Sequence, residues 1–226
     1  MTLSGDCAIW LYGSHARGDA DSMSDVDILV ISDGDITPGG MASVVGCPSR
    51  LSIARYAWGE IIGMADYGSL FLRHLQLEGR PLWEGATARG RLGRLLSKLP
   101  RYSLAGRDLK GFYTVLDDVR NSLGSEAHLV FELATVGAVF RHACILGCAL
   151  SGTPSFSRFE PVTRLVRRWA LVSSWADEFP ALYVYRMYAD GRSARFMKPS
   201  RDTAHLWCNR TEMLLAELGV RIDEYS

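Results

Sequence analysis

The stretch "LYGSHARGDADSMSDVDILVI", Leu11–Ile31, decides the fold of the first part of the chain. It begins within an apolar run, "CAIWLYGS", and ends in the β-branched run "VDILVI". Both runs are typical of β-strands, and Gly13-Ser14 marks the point where the first strand ends. A third strand is expected in "RLSIARYAW", after the loop "DGDITPGGMASVVGCPS".

Asp25 and Asp27 stand at the start of the second expected strand. Residues i and i+2 of a strand share one face, so the two carboxylates lie side by side while Val26 enters the sheet. Such close carboxylates repel each other unless a cation lies between them. Mg²⁺ suits this pair because it binds few carboxylates and completes its shell with phosphate oxygens and water. We expect Asp25 and Asp27 to be metal ligands and catalytic residues, and Asp19 and Asp21 to be solvated.

Gly13 and Ser14 should open a turn or helix after the first strand. Backbone N–H groups and a hydroxyl at such a turn can bind phosphate, with the positive end of the helix dipole behind them. Arg17 adds a positive charge one turn later, and Ser24 adds a hydroxyl directly before Asp25. The sequence therefore predicts a nucleotide site at Gly13, Ser14, Arg17 and Ser24, next to the metal ligands.

The segment "GSHARGDADSMSDVDILV", Gly13–Val30, resembles the signature of the DNA polymerase beta-type nucleotidyltransferase superfamily. Gly-Ser, Ala-Arg-Gly and Ser-Asp-x-Asp occur in the family's order, and ten residues separate Ser14 from Asp25. "FLRHLQLEGRPLWEG", Phe71–Gly85, is similar to the segment that closes the minimal family domain. The resemblance implies transfer of a nucleoside monophosphate from an NTP, with pyrophosphate leaving and Mg²⁺ as the cofactor.

Helical periodicity begins at residues 58–78 and replaces the strand patterns from about Gly90 onward. Helices are expected near 91–99, 105–122, 126–150, 158–175, 178–189 and 202–218. We therefore expect an α/β (α+β) nucleotidyltransferase domain with a mixed sheet over residues 1–90, followed by an all-α helical domain over residues 91–226. This layout resembles that of antibiotic nucleotidyltransferases. His74 is expected on a helix surface.

Superfamily members usually carry a third carboxylate on the next strand, where it completes the metal site and often deprotonates the acceptor. The matching position here is Ser52, and Ala54 is the next residue on that face. Glu60 or Asp66 could approach the site instead, although each more simply caps or solvates its helix. Alternatively, catalysis is weak or lost, and the chain is a nucleotide-binding regulatory or antitoxin-like protein.

Glu132 offers a further explanation, in which the general base comes from the helical half. It is an acid in the apolar segment "LVFELATV", where a functional role would be expected. The alternative is a buried glutamate paired with Arg120 or Arg141. Glu132 is therefore a candidate catalytic residue, with the structural role left open.

Composition limits the partners. Apolar residues make up 48% of the 226, and the 25 basic and 25 acidic residues give a net charge of zero. A neutral chain has no overall attraction to nucleic acid or membranes, so a small-molecule or protein hydroxyl is a better acceptor than RNA. We expect ATP as the NTP, no membrane partner and, as one open assembly, a homodimer. The five cysteines without a CxxC pair, and no signal peptide, favour the cytoplasm.

Two local features qualify this picture. Leu129–Leu150 is apolar, but its charged residues favour a buried helix over a membrane span. Arg164, Arg167 and Arg168 share one side of a helix at i, i+3 and i+4, near Trp169. Such a cluster could bind RNA by phosphate contacts and stacking, or hold a triphosphate, but a solvated basic helix face is the more common meaning.

Overall fold

The computed structural model of the chain describes residues 3–34, 38–46, 48, 50–124, 128–193 and 198–225. The chain divides into two compact units, Met1–Ser103 and Leu104–Ser226. The expected domain boundary between residues 90 and 91 stays a prediction, because compactness groups the segment up to Ser103 with the first unit.

The first unit is built on a four-stranded sheet in the order β3-β2-β1-β4. The strands are β1 (Ala8–Tyr12), β2 (Val26–Ile31), β3 (Leu51–Tyr56) and β4 (Arg80–Glu84). β1 pairs antiparallel with β2 and β4, whereas β2 and β3 run parallel. The mixed sheet confirms the expected fold class. β4 was not expected as a strand, since it is short and contains Pro81, a residue tolerated only at a sheet edge.

The helices of this unit are α1 (Gly13–Arg17), α2 (Pro38–Val45), α3 (Trp58–Asp66), α4 (Leu70–Glu78) and α5 (Arg91–Leu96). α2 replaces part of the expected loop, because Met41 is buried against the sheet and outweighs the weak helix propensity of Gly39 and Gly40. The helical pattern over 58–78 is interrupted at Gly68, whose φ is +67° and where a Cβ would lie 2.5 Å from the Pro100 carbonyl oxygen.

Apolar side chains cover both faces of the sheet. One face includes Trp10, Leu29 and Ile31 and packs against α3, α4 and α5 through Trp58, Ile61, Leu72, Leu75 and Leu92. The other face includes Ile9, Ile28 and Val30 and packs with Met41. A slip of one residue would exchange the two faces, so their burial sets the register of β2.

Within the described residues, the second unit consists of α6 (Ala105–Ser122), α7 (Leu129–Leu150), α8 (Glu160–Arg168), α9 (Ser174–Ala189) and α10 (Arg201–Tyr225). The expected all-α character is confirmed. The helix expected over 158–175 ends at Arg168, and Ala170 adopts a left-handed φ of 50°. α9 begins earlier than expected, and α10 continues beyond residue 218.

α7 forms the centre of the second unit, where it packs against α6, α8, α9 and α10. Of the helices that the structure describes, it is the one long and apolar enough to cross a membrane. Its most apolar stretch of 18 residues is nevertheless 67% buried inside the protein. A core helix of a soluble protein has the same length and composition, so burial accounts for the apolar sequence.

Candidate functional site

The two candidate metal ligands lie at the N-terminal end of β2. Asp27 is the second residue of β2 and pairs with Tyr12 of β1, and Asp25 directly precedes the strand. Asp27 is in phase with Leu29 and Ile31, whereas Val26 packs with the opposite face. Strand alternation thus places Asp27 and Val26 on opposite faces, and the position of the Asp25 carboxylate beside Asp27 stays a prediction.

Gly13 brings the turn after β1 close to Asp27. Its φ is +71°, and a Cβ built on it would lie 2.4 Å from Asp27 Oδ2. A side chain at this position would therefore be strained and would collide with the carboxylate. Sequence reasoning missed this contact, although a glycine at the end of a strand signals close backbone approach.

α1 begins at Gly13 and ends at Arg17, directly after β1. The N–H groups of Gly18 and Asp19 donate to the Ser14 carbonyl oxygen, at 2.9 and 3.1 Å, and close the turn. Ser14 is half-buried. The expected sequence of strand, turn and second strand is thus present, and the binding of phosphate by Gly13 and Ser14 stays a prediction.

Arg17 is held by two carboxylates. Its Nη1 lies 2.5 Å from Glu78 Oε2, and its Nε lies 3.1 Å from Asp19 Oδ2. The side chain is 20% exposed. Its charge is balanced by these partners, and its contact with a nucleotide stays a prediction. Asp19 is an ion-pair partner as well as a loop residue.

α4 contributes two further ionisable residues, whose pairing sequence reasoning missed. His74 Nε2 lies 2.7 Å from Glu78 Oε2, and the side chains are 16% and 13% exposed, respectively. His74 is therefore not the surface residue that was expected. Burial alone would raise the pKa of Glu78, but hydrogen bonds and charges from His74 and Arg17 lower it below its ordinary value. The i, i+4 spacing of His74 and Glu78 was the available signal.

Tyr12 contacts His74 of this pair and is the register partner of Asp27. Its ring contacts His74 edge-on, with centroids 5.6 Å apart. Burial raises the pKa of Tyr12 to about 12, and the negative charge of Asp27 contributes to the increase. Tyr12 thus stays protonated at neutral pH beside Asp27.

Ser24 belongs to a tight turn before Asp25. Its hydroxyl donates to Asp21 Oδ1 at 2.8 Å, and the Asp21 N–H donates back to the hydroxyl at 3.0 Å. The Met23 N–H also donates to Asp21 Oδ1, at 3.0 Å. Asp21 therefore organises the turn while it remains exposed in the loop, as expected. The contact of Ser24 with nucleotide stays a prediction.

β3 carries no acid beside the candidate metal ligands. Ser52 is the register partner of Asp27, and Ala54 is the next residue in phase. Glu60 caps α3, since its carboxylate accepts the Ala57 N–H at 2.7 Å, and Asp66 is exposed at the end of α3.

The side chains that are available as ligands decide which metal ion could bind. Over the described part of the chain, no group of three His, Cys, Asp or Glu side chains could hold a metal ion. The described residues therefore contain no metal site formed by protein side chains alone. Two neighbouring carboxylates beside a glycine cradle fit Mg²⁺, which is commonly bound by one or two carboxylates together with substrate phosphates.

Glu132 lies in α7 of the second unit and is 8% exposed. Its suggested partners make other contacts. Arg120 Nη2 lies 2.6 Å from Glu212 Oε2, and Arg141 donates to the backbone carbonyls of residues 156–158. The role of Glu132 as a base stays a prediction.

Comparison with known proteins assigns the first part of the chain. No curated protein matches the chain significantly. The family model described as "Nucleotidyltransferase domain" matches residues 2–55, from the N-terminus through most of β3. The matched range includes Gly13, Ser14, Asp25, Asp27 and Ser52. The chain therefore carries a nucleotidyltransferase domain over residues 2–55, and its resemblance to the DNA polymerase beta-type superfamily is confirmed.

Proposed function

We propose that the chain is a Mg²⁺-dependent nucleotidyltransferase that moves a nucleoside monophosphate from an NTP, ATP first, to a hydroxyl group. The contact of Gly13 with Asp27 supports this proposal, because it joins the phosphate turn to the metal ligands. An acceptor oxygen forms a bond to the α-phosphorus, the α–β phosphoanhydride bond breaks, and pyrophosphate leaves. The acceptor proton passes to a general base.

Each part of the motif has a role in this reaction. Asp25 and Asp27 would hold Mg²⁺, which neutralises and orients a triphosphate when it is bound. Backbone N–H groups at Gly13 and Ser14 bind phosphate oxygens. Ser24 and Arg17 assist nearby, after rearrangement of their turn and ion pairs. Glu132 is the candidate base, since it is the one buried acidic residue in the described part of the chain.

The acceptor is proposed to be a small molecule or a protein, since the neutral chain has no overall attraction to RNA. The test is incubation with Mg²⁺ and each α-labelled NTP, with aminoglycosides and with protein substrates. Label transfer and pyrophosphate release should occur together. Asp25→Asn/Asp27→Asn should lower the transfer rate by at least about a hundredfold.

Asp117→Asn/Asp118→Asn is the matched control, because it removes two exposed carboxylates of α6 outside the motif. It should transfer label at the rate of the wild type. Transfer that persists in the Asp25→Asn/Asp27→Asn variant would contradict the proposal.

A second candidate function is nucleotide binding without transfer, in a regulatory or antitoxin-like protein. The register of β3 favours it, because Ser52 stands where a third carboxylate would face Asp27. This function predicts an NTP-dependent rise in Tm with Mg²⁺, no turnover with any acceptor, and a change in affinity alone when Asp25 and Asp27 are substituted. Turnover with any acceptor rejects it.

A further inference from the structure

An open cavity of about 500 Å³ lies at the surface of the second unit, beside α8. It is lined by Thr153, Glu160, Thr163, Arg164, Arg167 and Arg168. Its volume falls in the range of about 300–1,000 Å³ that is typical of small-molecule sites. The nucleotidyltransferase motif contributes no residue to this lining.

Positive charge dominates the lining. Glu160 accepts hydrogen bonds from Arg164 and, at 2.9 Å, from the Ser155 hydroxyl, so its carboxylate balances the charge of Arg164. Arg167 and Arg168 are exposed, and in the described parts of the chain neither has an ion pair. Two arginine charges therefore remain unbalanced at the cavity.

The helix alone accounts for only part of this arrangement. Basic residues in the last turn of α8 complement the helix dipole. Like charges at i, i+3 and i, i+4 nevertheless repel one another, so three arginines on one side carry a cost. An anion in the cavity would remove that repulsion.

Thr153 provides an independent observation. Its Oγ1 is buried and is the one such side-chain N or O atom without a hydrogen-bond partner in the described residues. Its carbonyl oxygen accepts from Arg164 Nη1 at 3.2 Å, which holds Thr153 beside the arginines. An unpaired buried hydroxyl is unfavourable, and a ligand oxygen in the cavity would satisfy it.

We propose that this cavity binds the phosphate group of a small phosphorylated molecule. Guanidinium groups suit phosphate because they donate paired hydrogen bonds to its oxygens. The neutral chain has no overall attraction to a polynucleotide, which favours a small molecule as the ligand. This site is independent of the nucleotidyltransferase motif, so either proposal can fail without the other.

The experiment is hydrogen exchange and calorimetry on the full chain without divalent metal. Pyrophosphate and ATP are the probes, and adenosine is the control ligand. Pyrophosphate should protect backbone amides within residues 153–168. Equal affinities for pyrophosphate and ATP would indicate a free phosphate ligand, and tighter binding of ATP at this segment would indicate a nucleotide.

Arg167→Gln/Arg168→Gln should weaken pyrophosphate binding about tenfold or more. The matched control, Lys198→Gln/Arg201→Gln, removes two positive charges from the same unit without touching the cavity lining, and should bind as the wild type does. Thr153→Val should also weaken binding while Tm stays equal or rises, because it removes an unpaired hydroxyl.

Three results would overturn the proposal. The first is protection confined to residues 13–31, and the second is equal loss of affinity in the control variant. The third is binding of a short RNA without binding of pyrophosphate or ATP, which would make the arginines an RNA surface.

Discussion

Gly13 shows how one absent side chain can shape a site. The carboxylate of Asp27 occupies the space that a Cβ would need, and the left-handed backbone turns the chain from β1 into α1. Glu78 is the second decisive residue, because it binds Arg17 and His74 with one carboxylate oxygen. Both residues act through contacts with side chains distant in sequence.

Gly13→Ala should lower the free energy of unfolding by about 1–3 kcal/mol, because a Cβ is strained at this φ and meets Asp27. NTP affinity with Mg²⁺ should fall as well. Urea denaturation and calorimetry measure the two effects. Gly59→Ala is the control, since a Cβ there meets nothing within 4 Å. Unchanged stability in Gly13→Ala would contradict the geometry.

Glu78→Gln should lower the free energy of unfolding at pH 7 by about 2 kcal/mol, since Arg17 and His74 lose a charged partner. The pKa of Glu78 lies below its ordinary value of 4.5 in the folded chain. Its contribution is therefore present above that value and is lost as the pH falls through the folded pKa.

The difference between the wild type and Glu78→Gln should thus be constant near neutral pH and shrink below about pH 4.5. Denaturation across a pH series measures it. Glu224→Gln serves as a control, because its carboxylate is exposed and paired at the surface. A difference that grows towards low pH would show that the sign is wrong.

At the scale of elements, the pairing of β2 with β3 decides what faces Asp27. Parallel register places Ser52 beside Asp27 and leaves Ile53 on the other face. The three main strands could be predicted from their apolar, β-branched runs. α2 and β4 could not be predicted, because packing on the sheet stabilises segments that contain Gly39, Gly40 and Pro81.

Ser52→Asp should raise the apparent affinity for Mg²⁺ about tenfold, because it adds a carboxylate beside Asp27. Without metal its Tm should fall, since like charges repel. Thermal unfolding with and without Mg²⁺ measures both effects. Ile53→Asp places the same charge on the other face and should show no gain in metal affinity. An equal gain in both variants would contradict the observed register.

At the scale of the molecule, each unit has its own core, and the candidate catalytic residues divide between them. Asp25 and Asp27 lie on the sheet of the first unit, whereas Glu132 lies in the central helix of the second. The arginine cavity also belongs entirely to the second unit.

Glu132→Gln should lower the transfer rate by about 10²–10⁴-fold if Glu132 is the base. Its stability should stay equal or rise, because a buried charge becomes neutral. Single-turnover kinetics and urea denaturation separate the effects. Glu212→Gln, an exposed acid in α10, should keep the wild-type rate. A Glu132→Gln variant with full activity would place the base elsewhere.

The sequence by itself determined the strand, glycine turn and Asp-Val-Asp strand, because these depend on alternation and backbone preference over a few residues. Tertiary structure decided that Arg17 meets Glu78, 61 residues away, and that Ser52 faces Asp27. It also decided that Thr153 lies with the arginines of α8. Such pairings arise when apolar faces are buried, and burial brings together side chains whose separation along the chain carries no local signal.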